Sequence, residues 1–546
     1  MLDGLVRLIV RFERDERGLT AVIFGILFTV LFLMAAVVID YSRALQEYQR
    51  EQAAVDAAAL AASHYLGLGN EDEVGEEVAR RFFKANMEPG STAEIDVDLD
   101  GSAGTVTAQA RNDFKTTLIA AAAQGSVARD TMPIGARTLI VKGTGTIEVA
   151  MALDNSGSMS GTKIEALKDA AHDLVGIVFA GADQDNDVKV ALVPFAASVN
   201  VGADQVDQGW IYQGPESGLS SPLFTGSSSR FDILSQMGRS WGGCVEARAA
   251  PYDTSDTAPD QNTVATMFVP MFAPDEPDDG NASNAGYSTD GGDSNGYNNN
   301  YIPDFGGVCP TPEQQCIRWR TTNGVRTCRT YGPVPIPVAE AQSRSCKYQS
   351  ATPSTFEGAA PGPNALCTTP PILPLTGNRG AIDDAITNMV ASGNTNISEG
   401  TMWAWRTISP GLPFPEGRSY DDQENRKVLI VMTDGDNVHS AKSQHNRSVY
   451  AAYGMGSQNR LGTTYTNASF NTQLNSKTLA ACSNAKAQGI TVYTVAFGTE
   501  ISSTGLSLLR SCAQSKDHAF LARDETALIQ AFQQIGREIA KLRVAS

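Results

Sequence analysis

TIEVAMALDNSGSMSG, residues 146–161, is an apolar run that stops at an acid and passes into a Ser- and Gly-rich turn. Directly after it, Ile164, Leu167, Ala171, Leu174 and Val178 recur at three- and four-residue spacing. The first part reads as a buried strand and the second as a helix. The runs VKVALVPF (188–195), KVLIVM (427–432) and ITVYTVAF (490–497) repeat the apolar pattern, each with helical material after it. A last helix carries Leu528, Ile529, Phe532, Ile535, Ile539 and Leu542 on one face. Such alternation predicts an α/β domain with a doubly wound, mostly parallel sheet covered by helices.

In DNSGSMSG, Asp154, Ser156 and Ser158 form a D-x-S-x-S set. Asp and Ser are also the commonest helix N-caps, so this segment alone fits a capped turn as well as a metal site. Two distant segments bear on the choice. SGNTNISEG (392–400) presents Thr395 ahead of a predicted helix, and KVLIVMTDGDN sets Asp434 just past the end of an apolar strand. Strand carboxyl ends in an open parallel sheet converge on one crevice. Two carboxylates and three hydroxyls aimed there suit a small hard cation that takes oxygen ligands, namely Mg2+ or Mn2+.

These five residues in this chain order resemble the metal-ion-dependent adhesion site of the von Willebrand factor type A family. The resemblance covers about residues 146–200 and 376–546. It implies a Rossmann-like fold in which Ser156 and Ser158 bind the metal directly and Thr395 does so directly or through water. Asp154 and Asp434 would then act largely through water. A ligand set rich in neutral hydroxyls leaves the cation electron-poor, so an acidic side chain of a partner is expected to complete the coordination.

Between about residues 201 and 375 the alternation stops, and Gly, Ser, Asn, Asp and Pro dominate. This stretch is expected to be an insertion that buries little apolar area and is partly disordered. DEPDDGNASNAGYSTDGGDSNGYNNN (275–300) lacks the spacing and closing Glu of an EF-hand and reads as a solvated loop. Cys244, Cys309, Cys316, Cys328, Cys346 and Cys367 lie in the insertion, with Cys482 and Cys512 beyond it. No CxxC pair suggests zinc, and an oxidising compartment fits best. The last helices are expected to bring Cys482 to Cys512, leaving the other six to pair within the insertion.

At the other end, LTAVIFGILFTVLFLMAAVVI (19–39) is uncharged and apolar. At about 1.5 Å rise per residue it spans a bilayer core of about 30 Å. A cleaved signal peptide is the bland alternative, but its apolar core runs to roughly 7–15 residues. Arg7, Arg11, Arg14 and Arg17 precede the run and only Arg43 and Arg50 soon follow, so the chain's bulk is expected outside the cytoplasm. The helical pattern continues after the run, with Leu45, Tyr48, Ala53, Val55, Ala59 and Leu60 as an apolar stripe. A second helix, EDEVGEEVARRFFKANM (71–87), and hairpin strands AEIDVDL (93–99) and GTVTAQA (104–110) follow, in the outline of a pilin-like subunit.

DERGLTAVIFG (15–25), Asp40 and VDAAALAAS (55–63) resemble the TadG-type proteins of Flp pilus assembly, as do CSNAKAQGITVYTVAFG (482–498), LLRSCAQS (508–515) and the ending KLRVAS. Ile23 stands five residues after Gly18, where small pilin-like relatives often carry Glu, which argues against prepilin-peptidase processing. The organisation expected is a cytoplasmic N-terminus at 1–18, a transmembrane helix at 19–39, a TadE/TadG-like α+β region at 40–145 and a type A domain at 146–546 interrupted by 201–375.

Sixty acids against 42 Lys and Arg, with no basic block in the linear sequence, make nucleic acid an unsuited partner. His64, His172, His439, His445 and His518 form no HExxH, and no GxSxG is present, so no enzyme is expected. His439, close after Asp434, reads as an exposed loop residue. The expectation is a single-pass protein of the bacterial inner membrane with a periplasmic C-terminal domain that binds envelope or pilus proteins through its metal. A surface adhesin and a structural spacer with a stabilising metal are the alternatives.

Overall fold

The computed structural model describes residues 17–63, 65, 71–88, 91–100, 105–118, 131–141, 145–180, 187–277, 287–288, 297–310, 313–334, 336–349 and 361–544. Two compact units result, Met1–Thr144 and Gly145–Ser546.

The first unit begins with α1 (Arg17–Ser63), followed by α2 (Glu71–Asn86) and an antiparallel sheet of β1 (Glu94–Asp100), β2 (Thr105–Lys115) and β3 (Thr131–Val141) in that order. From Ile23, α1 is long and apolar enough to cross a membrane, and Phe24, Leu31 and Val38 stand exposed. Farther along, the helix turns Ala54, Val55, Ala58, Ala59 and Ala62 onto a small core with Ile95, Val97, Leu99, Val106 and Ala108. The apolar stripe expected from sequence is corrected here, since Leu45, Tyr48 and Leu60 are exposed. Small side chains face the sheet because they let a helix lie close on it, and size rather than hydrophobicity selects the face. β3 escaped the sequence reading because Pro133, Gly135 and Arg137 interrupt its alternation. As an edge strand it tolerates the proline.

In the second unit the strands are β4 (Thr146–Asp154), β5 (Val188–Phe195), β6 (Val199–Asn200), β7 (Cys244–Val245), β8 (Tyr287–Ser288), β9 (Gln314–Thr322), β10 (Val325–Pro333), β11 (Ile336–Pro337), β12 (Leu373–Thr376), β13 (Asn425–Thr433), β14 (Thr491–Phe497) and β15 (Ala519–Ala522). The main sheet runs β15-β14-β13-β4-β5-β6-β7, with β12 added on β5. β15 through β5 are parallel, and β6, β7 and β12 pair antiparallel. The helices are α3 (Thr162–Phe179), α4 (Arg230–Gln236), α5 (Val338–Ser343), α6 (Arg379–Thr387), α7 (Ile397–Thr407), α8 (Asn467–Ala487), α9 (Ser503–Cys512) and α10 (Glu525–Val544).

Alternation along β4 divides the core. Ile147, Val149, Met151 and Leu153 join Leu167 and Leu174 of α3 and Phe532 and Ile535 of α10. Ala150 and Ala152 instead join Met402 and Trp403 of α7. α7 lies so close to the sheet that a Cβ on Gly400 would collide with the Phe195 ring. That close approach carries Thr395, just ahead of the helix, toward the carboxyl end of β4.

The insertion departs from expectation. Trp210, Phe224, Trp241, Phe268, Phe272 and Tyr348 are buried in the same core as Trp403, with Trp210 edge-on to Phe268 at 5.5 Å and Phe224 edge-on to Phe272 at 5.0 Å. A few large rings bury area out of proportion to their number, so composition understated this core. It also holds buried charge. Arg230 pairs with Glu216 and Glu246, both at 2.6 Å, and Lys347 with Asp275 at 2.7 Å and Asp304 at 2.8 Å. Asp275 therefore opens the supposed solvated loop from inside the core, while residues 278–286 and 289–296 of that loop lie outside the described residues. Disulfides join Cys244 to Cys367, Cys309 to Cys346 and Cys316 to Cys328, and Cys482 to Cys512 between α8 and α9, in line with the expected pairing.

Candidate metal centre

Parallel register builds the site. β4 and β13 align Leu153 with Met432, so the next residues, Asp154 and Thr433, meet where the strands end. Asp154 is fully buried; its Oδ2 accepts from Thr433 Oγ1 at 2.6 Å and its Oδ1 from the Ser156 backbone N–H at 2.7 Å. Burial pushes the Asp154 carboxyl up to about 6, against the downward pull of those bonds. With both oxygens engaged, Asp154 fixes the turn after β4.

That turn places Ser156 Oγ 3.0 Å from Ser158 Oγ, and Ser158 Oγ donates to Asp434 Oδ1 at 2.6 Å. The other Asp434 oxygen accepts from Lys163 Nζ at 2.7 Å. A third loop closes on these two. Gly157 N–H donates to Gly393 O at 2.9 Å, and Gly393, at φ +88°, takes a backbone conformation that glycine favours. Asn396 caps α7 by accepting from Glu399 N–H, which leaves Thr395 on the loop just outside the helix. Val438 N–H donates to Thr395 O at 2.8 Å and Asn437 Oδ1 accepts from Ile397 N–H at 2.7 Å, binding this loop to the segment after Asp434. Thr395 Oγ1 lies 3.9 Å from where a Cβ on Gly435 would stand.

Asp154, Ser156, Ser158 and Asp434 thus form one hydrogen-bonded cluster with Thr395 beside the turn at Asp434. Among the described residues no group of three or more His, Cys, Asp or Glu side chains is arranged to hold a metal. The cluster is of another kind, with two carboxylates and three hydroxyls, all hard oxygen donors that fit a magnesium-class ion and not a soft one. Sequence reasoning missed two members. Thr433 is signalled only by its place before Asp434. Lys163 sits in the first turn of α3, where a cation is disfavoured by the helix dipole, and that misfit was the available clue.

Residues 18–64 match the family model described as "Tad: Putative Flp pilus-assembly TadE/G-like". No curated protein matches the chain. Among solved structures it is similar to the pilus adhesin SpaC from Lactobacillus rhamnosus GG, at 11% identity and TM-score 0.31 over 83% of this chain and 35% of SpaC. The vWF domain of the type V pili tip protein Mfa5 from Porphyromonas gingivalis aligns at 9% identity and TM-score 0.32, over 73% of this chain and 96% of that domain. A point mutant of the PilB minor pilin from Streptococcus sanguinis aligns at 10% identity and TM-score 0.31, over 84% of this chain and 82% of PilB. The chain spans about a third of the length of SpaC.

His439 corrects another expectation. It is buried, bonds Ser448 Oγ through Nε2 at 2.9 Å and meets the Phe470 ring edge-on at 4.9 Å. Burial pushes its pKa down to about 4. A neutral imidazole tied to Ser448 is part of the packing beneath the loop. His172 and His518 are likewise engaged, with Asp383 and Ser515, whereas His64 lies outside the described residues.

Proposed function

We propose that this chain is a membrane-anchored, metal-dependent protein-binding component of Flp pilus assembly or anchoring in the bacterial envelope, and not an enzyme. The observation that carries the reading is the Ser158–Asp434 hydrogen bond, which joins the D-x-S-x-S turn to a carboxylate 276 residues away. The family match at 18–64 supports the pilus context, and the apolar start of α1 supports a membrane anchor. The arginines ahead of the apolar run favour the second unit in the periplasm. In this reading the second unit is a type A domain with a doubly wound sheet.

Ser156, Ser158 and Thr395 would hold Mg2+ or Mn2+, with Asp154 and Asp434 orienting water around it. The bound ion supplies an electron-poor position that an outside carboxylate fills. Asp154 keeps the Ser156 turn closed, and Lys163 holds Asp434 in place and offsets one of the two negative charges. With three neutral hydroxyls in the set, an acidic side chain of an envelope or pilus protein finds a net positive site once metal is present.

Capture of an envelope or pilus partner, measured with magnesium, with chelator and with a folded Asp154→Ala variant, tests this. Capture is expected with magnesium alone. Capture that survives both chelation and Asp154→Ala removes the metal from recognition and favours a structural spacer. Recovery of the chain at the cell exterior would favour a surface adhesin.

A further inference from the structure

Among the described residues β9 and β10 pair with each other and with no third strand. Their register aligns Val325 with Thr322, leaving Asn323 and Gly324, at φ 52° and 80°, as the two-residue turn that favours a twisted hairpin. A two-stranded ribbon is marginal in water, and the Cys316–Cys328 disulfide closes this one across its strands. A ribbon stapled in this way is held out in solvent on both faces. Ile317, Trp319, Val325 and Tyr331 are all about half exposed or more, at 56%, 48%, 63% and 66%.

The same ribbon concentrates positive charge. Arg318, Arg320, Arg326 and Arg329 are all exposed, and no acid occurs between Glu313 and Glu340. Among the described residues none of the four guanidinium groups is within an ion pair, and Arg326 lies over the Trp319 ring at 4.4 Å. Four arginines along one ribbon, spread over both its faces, in a chain of net charge −18 are a local reversal of sign. It favours an anionic surface that the rest of the chain repels.

We propose that this hairpin docks on anionic phospholipid headgroups. The forked guanidinium matches phosphate oxygens in pairs, and Trp and Tyr favour the headgroup level, where one end of the ring is apolar and the other wet. Apolar and cationic side chains are mingled around the ribbon and not gathered on one flat patch. A headgroup layer, in which phosphate and the first methylenes are mingled, complements that arrangement better than a protein face does. Trp319, stacked under Arg326, is the central anchor. The proposal is independent of the metal centre.

The test is flotation. Full chain held in phosphatidylcholine nanodiscs is mixed with vesicles of phosphatidylcholine alone or of phosphatidylcholine with phosphatidylglycerol. Flotation with the anionic vesicles only is expected. It should weaken by about tenfold or more in the Arg318→Gln, Arg320→Gln, Arg326→Gln, Arg329→Gln variant, since each basic residue adds to attraction by an anionic leaflet. Trp319→Ala should weaken it as well, with thermal unfolding of both variants unchanged. Equal binding to the two vesicle types, or undiminished binding by the four-glutamine variant, overturns the proposal. Displacement by soluble glycerol phosphate would reassign the hairpin to free phosphate, and displacement by polyglutamate to an acidic polypeptide; either result overturns it too.

Discussion

Ser158 donates a 2.6 Å hydrogen bond to Asp434, whose other oxygen is held by Lys163 at 2.7 Å, so a buried carboxylate is shared by a hydroxyl from the turn before α3 and an ammonium from the first turn of α3. Hydrogen bonds to charged groups contribute about 1.5–3 kcal/mol each. Asp434→Ala breaks both and should cost about 3–6 kcal/mol in urea unfolding under chelator, while Ser158→Ala, which breaks one, should cost about 1.5–3 kcal/mol. Equal losses in the two variants would contradict this arrangement.

Magnesium should stabilise the folded chain without any partner. A ligand at a hundred times its dissociation constant adds about 2.7 kcal/mol, visible as a rise in the unfolding midpoint. Asp154→Ala, lacking the acceptor that closes the Ser156 turn, should show no rise. An equal magnesium-dependent rise in the variant would show that the ion binds elsewhere.

Arg230 lies between Glu216 and Glu246 deep in the insertion. Removing one partner of a buried ion pair costs about 3–5 kcal/mol because charge is left uncompensated. Arg230→Met should lose that much in denaturant unfolding, and adding Glu216→Gln should restore part of it. A mild effect of Arg230→Met would mean that the insertion unfolds separately from the sheet.

The buried His439 makes stability depend on pH. Its folded pKa, lowered to about 4, lies below the ordinary value near 6.5, so the unfolded chain takes up a proton that the folded chain refuses. Its contribution is complete above pH 6.5 and is lost as pH falls toward 4. Between pH 7 and 5 the wild type should lose about 2 kcal/mol relative to His439→Gln, as 1.36 kcal/mol accompanies each pH unit below 6.5. Asp154, raised to about 6, acts in the opposite direction but equally in both proteins, so the difference isolates the histidine. Parallel pH profiles for the two proteins would refute it.

Chain topology and oxidation state are checked in cells. A reporter active only in the periplasm, fused after Ser546, should be active, because four arginines precede the apolar run. Mass mapping without reductant should recover the four disulfides, including Cys482–Cys512. Activity of a cytoplasm-only reporter, or eight free thiols, would place the domain on the wrong side of the membrane for this reading.

Residues 146–178 announced their strand, turn and helix because periodicity and capping depend on near neighbours, and the strands VKVALVPF, KVLIVM and ITVYTVAF were legible for the same reason. Chain order alone also put Asp154, Ser156, Ser158, Thr395 and Asp434 at strand or helix ends. Which of them touch was decided by the register of β4 on β13, which set Thr433 against Asp154, and by the approach of α7 at Gly400. The insertion looked polar because its rings are sparse along the chain, and burial is a property of what folds back onto each ring. His439 is buried for the same reason, through Phe470. No basic block exists in the linear sequence, yet the hairpin pairs Thr321 with Arg326 and Arg320 with Thr327, and so gathers Arg318, Arg320, Arg326 and Arg329 on one short ribbon. Local pattern determines elements; contacts between residues far apart in sequence exist only once the chain has closed, and those contacts determined the cluster around Asp434.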